Sequence, residues 1–423
     1  MKKRHGFGVV TALLMVALGC SISALPISAQ TTENPPPFGS SLKRTKVENE
    51  RPAKEEAGQN PAINDLPPPE EIIKVNTSLV SLDVLVTDAT GSRYISGLTK
   101  DDFVITEDSQ PQTVATLTMG DDSARLPRSI VLVFDRSGSQ FPYLEASIEA
   151  AKVLVNQLTP SDEMAIVTDD VELAIGFTKD KKKLKQSLES LKKLTLKGFQ
   201  TRSLQFSALL ATIRELIDSN RKRPIIIFQT DGDEVDRLGP SGRQNSPRNY
   251  DLDTIYSEVE KSRTKIYTVI PNVRLIGIPK EEVAGQMRLM VEKGQLARAK
   301  HKDMWYGAER VPPKTNSSSQ PSRFPENLRE KLMESIYDSL VKGQTAAARV
   351  ADLTGGWTSF LEKQEQVNEI YARILADINH RYILGYYPTN KESDGKLRKV
   401  HIEVRGHPDY IVQGRTSYFA TPR

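Results

Sequence analysis

Two strand-length runs with few polar side chains, 129–134 (SIVLVF) and 224–230 (PIIIFQT), limit what this chain can fold into. A strand that is apolar on both faces needs cover on both, and the usual cover is a layer of helices on each side of a parallel sheet. The surrounding sequence alternates accordingly. Ala151, Leu154, Val155 and Leu158 share one face of a helix. Residues 164–168 and 172–177 read as strands, and 180–193 and 203–219 as helices. Residues 265–270 are a third buried strand and 357–361 the last. Ile370, Ile374 and Ile378 place an apolar stripe on a closing helix. The expectation is an α/β core over 125–378, a doubly wound, mostly parallel sheet with helices on both faces. Residues 273–326 interrupt it as an insertion far longer than an ordinary connection. Its first half, 279–300, has a helical pattern. Its second half, 312–325, is rich in Pro and Ser, and Trp305-Tyr306 lies between them.

The flanks have another texture. Val80, Leu82, Val84 and Val86 alternate with more polar neighbours, as in a half-buried strand, and 103–106 and 113–117 are further short strands. At the other end, 381–387 is aromatic and β-branched. Val400, Ile402 and Val404 alternate with His401, Glu403 and Arg405, and Asp394-Gly395 marks a hairpin between the two runs. Neither set has enough strands to stand alone. Residues 72–120 and 379–423 are therefore expected to complete one small β-sandwich-like domain flanking the core.

Composition narrows the partners. The chain has 423 residues, 58 Lys+Arg, 54 Asp+Glu and one Cys. One Cys excludes a disulfide framework and a Cys-based zinc finger, and a net charge of +4 argues for no nucleic acid partner. Lys2, Lys3 and Arg4 precede an apolar stretch, and small residues follow up to Ala29, so 1–29 reads as a secretory signal peptide. Ala17-Leu18-Gly19-Cys20 resembles a bacterial lipobox, and the uncharged stretch 6–29 is long enough to span a bilayer. Cleavage, lipidation at Cys20 and retention as an N-terminal membrane tether stay open. All three put the folded part outside the cytoplasm, in the periplasm, the envelope or the medium. Residues 30–71, with Pro35-Pro36-Pro37 and Pro67-Pro68-Pro69, read as a disordered Pro-rich linker.

The chemistry gathers where the buried strands end. Asp135-Arg136-Ser137-Gly138-Ser139 follows the first apolar run directly, and Asp231-Gly232 follows the second. Gly198-Phe199-Gln200-Thr201 offers a hydroxyl from a third loop. The C-terminal edge of a parallel sheet is where such folds bind ligands. Two carboxylates with hydroxyls, and no His or Cys, suit a hard divalent cation, Mg²⁺ or alternatively Mn²⁺ or Ca²⁺.

With D-x-S-x-S at Asp135, Ser137 and Ser139, a later Thr201, and Asp231 after another buried strand, the segment resembles a von Willebrand factor type A (vWA) domain. The resemblance covers about 125–272 and 327–378. Leu98-Thr99-Lys100-Asp101-Asp102-Phe103 and 382–388 (YILGYYP) are similar to segments of bacterial, often acidobacterial, exported vWA-related proteins. The resemblance implies a metal-ion-dependent adhesion site at Asp135, Ser137, Ser139, Thr201 and Asp231, and a protein ligand whose exposed carboxylate completes the metal shell. It implies binding rather than catalysis. Arg136 inside the motif and the long insertion depart from the family pattern. Two alternatives remain: a metal-dependent hydrolase, with Asp233 or Glu234 as the base, and an envelope scaffold with a structural metal.

Overall fold

The computed structural model describes residues 42–44, 79–118, 127–198, 203–217, 221–238, 250–279, 282 and 326–420. The expected signal peptide, most of the linker, most of the insertion with Trp305-Tyr306, and Thr201 lie outside these residues. In chain order the strands are β1 (Lys43–Arg44), β2 (Val80–Thr87), β3 (Phe103–Glu107), β4 (Gln110–Gln112), β5 (Val114–Thr118), β6 (Ser129–Phe134), β7 (Glu163–Thr168) and β8 (Glu172–Thr178). They continue as β9 (Pro224–Gln229), β10 (Lys265–Ile270), β11 (Thr358–Phe360), β12 (Tyr382–Tyr386), β13 (Leu397–Val404), β14 (Ile411–Gln413) and β15 (Ser417–Phe419). The α-helices are α1 (Phe141–Gln157), α2 (Lys181–Gly198), α3 (Gln205–Ala211), α4 (Leu252–Lys261), α5 (Glu326–Leu353) and α6 (Val367–Asn379).

The central sheet runs β8-β7-β6-β9-β10-β11, extended at one edge by the two-residue β1. Only the β7–β8 pair is antiparallel; the tight turn at 169–171 forces that reversal. Buried side chains of β6 point alternately into two cores. Ile130, Leu132 and Phe134 pack with Leu144 and Ile148 of α1, Leu184 and Leu188 of α2, and Ile370 and Ile374 of α6. Val131 and Val133 pack with Phe206 of α3, Ile255 and Val259 of α4, and Val350 of α5. The uninterrupted apolar run thus has its cause: each face of the strand has its own helical layer. Helix α3 is buried at all seven residues. It gives way to a π-helical turn, Thr212–Leu216, instead of the longer regular helix that the sequence suggests. Thr212 Oγ1 donates to Ala208 O at 2.7 Å, a side-chain bond that competes with the regular ladder.

The flanking strands form two four-stranded sheets, β14-β2-β12-β5 and β15-β13-β3-β4. Each joins chain from both ends: β12 pairs with β2, and β13 with β3, both antiparallel. Leu82, Val84 and Tyr382 from the first sheet share one apolar cluster with Phe103, Ile105 and Ile402 from the second. Between the sheets, buried Glu107 accepts hydrogen bonds from Tyr386 Oη at 2.7 Å and Tyr418 Oη at 2.8 Å.

Arg381, fully buried in the short link from α6 to β12, ties these sheets to the core. It donates to Asp377 Oδ1 at 2.7 Å and Oδ2 at 3.0 Å, and to the carbonyls of Asp83, Gly355 and Gln413. A second buried ion pair, Arg128 with Asp162, holds the entry to β6 against the loop before β7 at 2.5 Å. Among the described residues no helix is long and apolar enough to cross a membrane.

Candidate metal centre

Parallel register brings the two acidic turns together. Phe134 lies opposite Gln229 on β9 and opposite Thr168 on β7. Asp135 therefore leaves the sheet level with Thr230 and Asp169, and Asp231 follows one residue on. After Asp135 a 3-10 turn (Gly138–Gln140) leads into α1, with Pro142 in its first turn, where a missing N–H is harmless. After Asp231, Gly232 takes φ +78° and opens another 3-10 turn, Asp233–Arg237. That backbone region is cheap for glycine alone.

The side chains converge. Ser137 Oγ lies 3.0 Å from Ser139 Oγ, and Ser139 Oγ donates to Asp231 Oδ2. Ser137 N–H donates to Asp135 Oδ1 at 2.8 Å. Asp135, Ser137 and Asp231 are buried, whereas Ser139 is exposed, so the cluster opens to solvent on the Ser139 side. Four of the five expected metal ligands are thus adjacent; the fifth, Thr201, is among the residues not described.

Gln205, at the first turn of α3, was not anticipated. Its Nε2 donates to Asp135 Oδ2, to Asp231 Oδ1 at 2.8 Å and to Asp233 Oδ1 at 3.0 Å, while its Oε1 accepts from Thr230 Oγ1 at 2.5 Å. Gln140 Nε2 adds a bond to Asp231 Oδ2 at 2.8 Å. The signal for Gln205 was faint: a lone amide at the head of an otherwise apolar helix, with no charge and no motif to mark it. Glu234, weighed as a base, is fully buried and accepts from the Phe206 and Ser207 amides and the Ser207 hydroxyl at 2.6, 3.1 and 2.6 Å. It caps the start of α3 and fixes Gln205 in place. Arg136, the departure inside the motif, turns away from the cluster, reaching Asp170 at 2.9 Å and Asp169 at 3.7 Å.

The cluster is short of positive charge. The three carboxylates meet only uncharged donors: the Gln205 amide, which has two protons for three acceptors, and the Gln140 amide, the Ser139 hydroxyl and the Ser137 N–H. Burial first, then the charges of Asp231, Asp169 and Asp233, push the Asp135 carboxyl well above its ordinary range. Asp169 is pushed up to about 6, again mainly by burial. Gln140 Oε1 is buried with no hydrogen-bond partner. An oxygen-rich, partly open cluster with excess negative charge fits a hard divalent cation. Among the described residues no three of His, Cys, Asp or Glu form a metal cage; this set mixes carboxylates with hydroxyls instead. His380 stacks on Tyr94, His407 on Tyr410, and His401 meets Glu403, so none of them belongs to the cluster.

No protein-family profile matches the sequence, and no curated protein does. Similar solved structures include BatB, a conserved hypothetical protein of Bacteroides thetaiotaomicron, 12% identical, covering 59% of this chain and 98% of that one, with a TM-score of 0.31. The vWF domain of the type V pilus tip protein Mfa5 of Porphyromonas gingivalis is 12% identical over 60% of this chain and 95% of that one, with a TM-score of 0.32. The pilus adhesin SpaC of Lactobacillus rhamnosus GG is 11% identical over 52% and 34%, with a TM-score of 0.25. At these scores the similarity carries no argument about site or partner. The mixed α/β architecture by itself is consistent with a vWA-like fold.

Proposed function

We propose that this chain is an exported, non-enzymatic binding protein that captures an acidic group of a protein partner through a divalent cation. Asp135, Ser137, Ser139 and Asp231, with Thr201 from the third loop, would hold Mg²⁺ or Mn²⁺. The cation would supply positive charge at a position still open to an outside carboxylate. The observation that carries this reading is the meeting of three carboxylates on the Gln205 amide at the C-terminal sheet edge, with the Ser139 hydroxyl bonded to Asp231 and the Ser137 hydroxyl to Ser139. Within it, Gln205 keeps the two aspartates apart, Glu234 anchors Gln205, and Ser139 marks the side open to a partner. Against the hydrolase alternative, Glu234 is fully buried and held by three donors of α3, away from any substrate, and Asp233, the other candidate base, accepts from Gln205 at 3.0 Å.

Calorimetric titration with Mg²⁺ and Mn²⁺ tests the site. Binding is expected for the native protein, together with a rise in melting temperature at saturating metal. Asp135→Ala should weaken the affinity by at least about tenfold, or roughly 1.4 kcal/mol. Equal affinity in both proteins would remove the site. A pull-down from envelope extract should then recover a partner in Mg²⁺ and lose it in EDTA.

A further inference from the structure

The parallel strands begin roughly 20 Å from Asp135, a strand length away. There the core meets the two antiparallel sheets around a cavity of about 610 Å³. Small-molecule pockets run from about 300 to 1,000 Å³. Seven cationic side chains and three carboxylates line this one. Two of the seven have a carboxylate partner outside the lining, Arg221 on Glu163 at 2.8 Å and Lys261 on Glu258 at 3.8 Å, and cations still outnumber anions at the cavity.

How the cations are held is informative. Five cationic residues of the described chain are buried: Arg128, Arg136, Lys265, Arg381 and Arg398. Four of them contact a carboxylate: Arg128 on Asp162, Arg136 on Asp170, Arg381 on Asp377 and Arg398 on Asp394. Lys265, in the cavity wall, instead donates to the carbonyls of Asp83 at 3.3 Å and Gly355 at 3.2 Å. Arg415, beside it, also donates to carbonyls, those of Glu260 at 2.7 Å and Thr264 at 3.4 Å. The nearby Asp83 carboxylate is shared by Arg223 and Arg381, each at 3.5 Å. A buried cation without a directly paired anion is costly, and an oxyanion in the cavity would relieve it. Burial indeed pushes the Lys265 ammonium well below its usual range. Lys261, at the end of α4 and over the Phe419 ring at 5.7 Å, and exposed Lys391, in the loop between β12 and β13, line the same cavity, one from the core and one from the C-terminal segment.

We propose that this cavity binds a small molecule carrying two or more oxyanion groups, phosphates or carboxylates, and that the ligand bridges the core and the antiparallel sheets. Ile383, Tyr387 and Tyr418 offer it an apolar wall. Guanidinium and ammonium donors from both units would neutralise its charge.

The test uses the full protein in EDTA at fixed ionic strength, titrated with inorganic tripolyphosphate and, separately, citrate. At least one is expected to bind calorimetrically and raise the melting temperature. Tripolyphosphate alone would assign phosphate chemistry, citrate alone carboxylate chemistry, and both a general oxyanion site. The double variant Lys261→Ala/Lys391→Ala should keep the ligand-free melting temperature and lose about tenfold in affinity. Asp135→Ala should bind as the native protein does, which separates this site from the metal centre. No binding of either anion, or unchanged affinity in the double variant, would overturn the proposal.

Discussion

Asp377→Ala is expected to lower the stability of the folded chain by about 3–5 kcal/mol, the usual effect of stripping one partner from a buried ion pair. Asp377 and Arg381 are each about 1% exposed and meet through two hydrogen bonds. Asp377 Oδ2 also accepts from Trp357 Nε1 at 2.6 Å, so the substitution orphans an indole as well as a guanidinium. Asp83, at 3.5 Å and already shared with Arg223, offers poor replacement. Replacing both members, Asp377→Leu with Arg381→Met, should recover only part of the loss: the unpaired charge is gone, but the Trp357 indole and the carbonyls of Asp83, Gly355 and Gln413 stay buried without those partners. The urea midpoint followed by tryptophan fluorescence reads both. A loss below about 1 kcal/mol for the single variant, the level of an exposed pair, would show that water reaches Arg381.

Gly232→Ala should cost about 2–5 kcal/mol and weaken divalent-cation binding with it. Two effects add at this position. The residue has φ +78°, which strains an L side chain by about 1–2 kcal/mol. A Cβ there would also lie 2.3 Å from the carbonyl oxygen of Gly343 on α5, and overpacking of this kind costs about 1–3 kcal/mol. Main chain cannot rotate aside as a side chain can, so α5 or the turn carrying Asp231 must move. Gly395→Ala separates the two effects, since its φ is +71° but its Cβ would meet nothing within 4 Å. Its loss should stay near the strain alone, with cation binding unchanged. Equal losses at the two positions, measured by denaturation, would mean that the α5 contact does not constrain the Asp231 turn.

Much of the core was readable because each residue type had a local reason to be where it is. Ile130 to Phe134 could be assigned to a two-faced strand from apolarity alone, and Ile370, Ile374 and Ile378 to the inner face of α6 from spacing alone. Asp135 and Asp231 were placed at one edge by the turns that follow β6 and β9. Gln205 was not readable, because what brings it to Asp135 is the descent of α3 onto the sheet, a tertiary fact. Its capping by Glu234 across the chain is equally non-local. The strands β4, β14 and β15 also escaped notice, being three residues each and fixed by their neighbours rather than by pattern. The oxyanion cavity is the extreme case. Lys265 and Arg415 are unremarkable in the sequence, and only their meeting at a junction of two units gives them meaning.

The pairing of β2 with β12 sets Val80 opposite Tyr386, so one of the earliest described strands waits for one of the last. Closing so large a loop is slow compared with local folding, whereas every pairing inside the central sheet spans a shorter stretch of chain. During synthesis the central sheet can therefore assemble while β2 still shows a bare hydrogen-bonding edge. That edge is a template for any passing strand, including one from a neighbouring nascent copy. The vulnerable moment for this molecule comes late, when most of it is already native and only its two ends have yet to find each other.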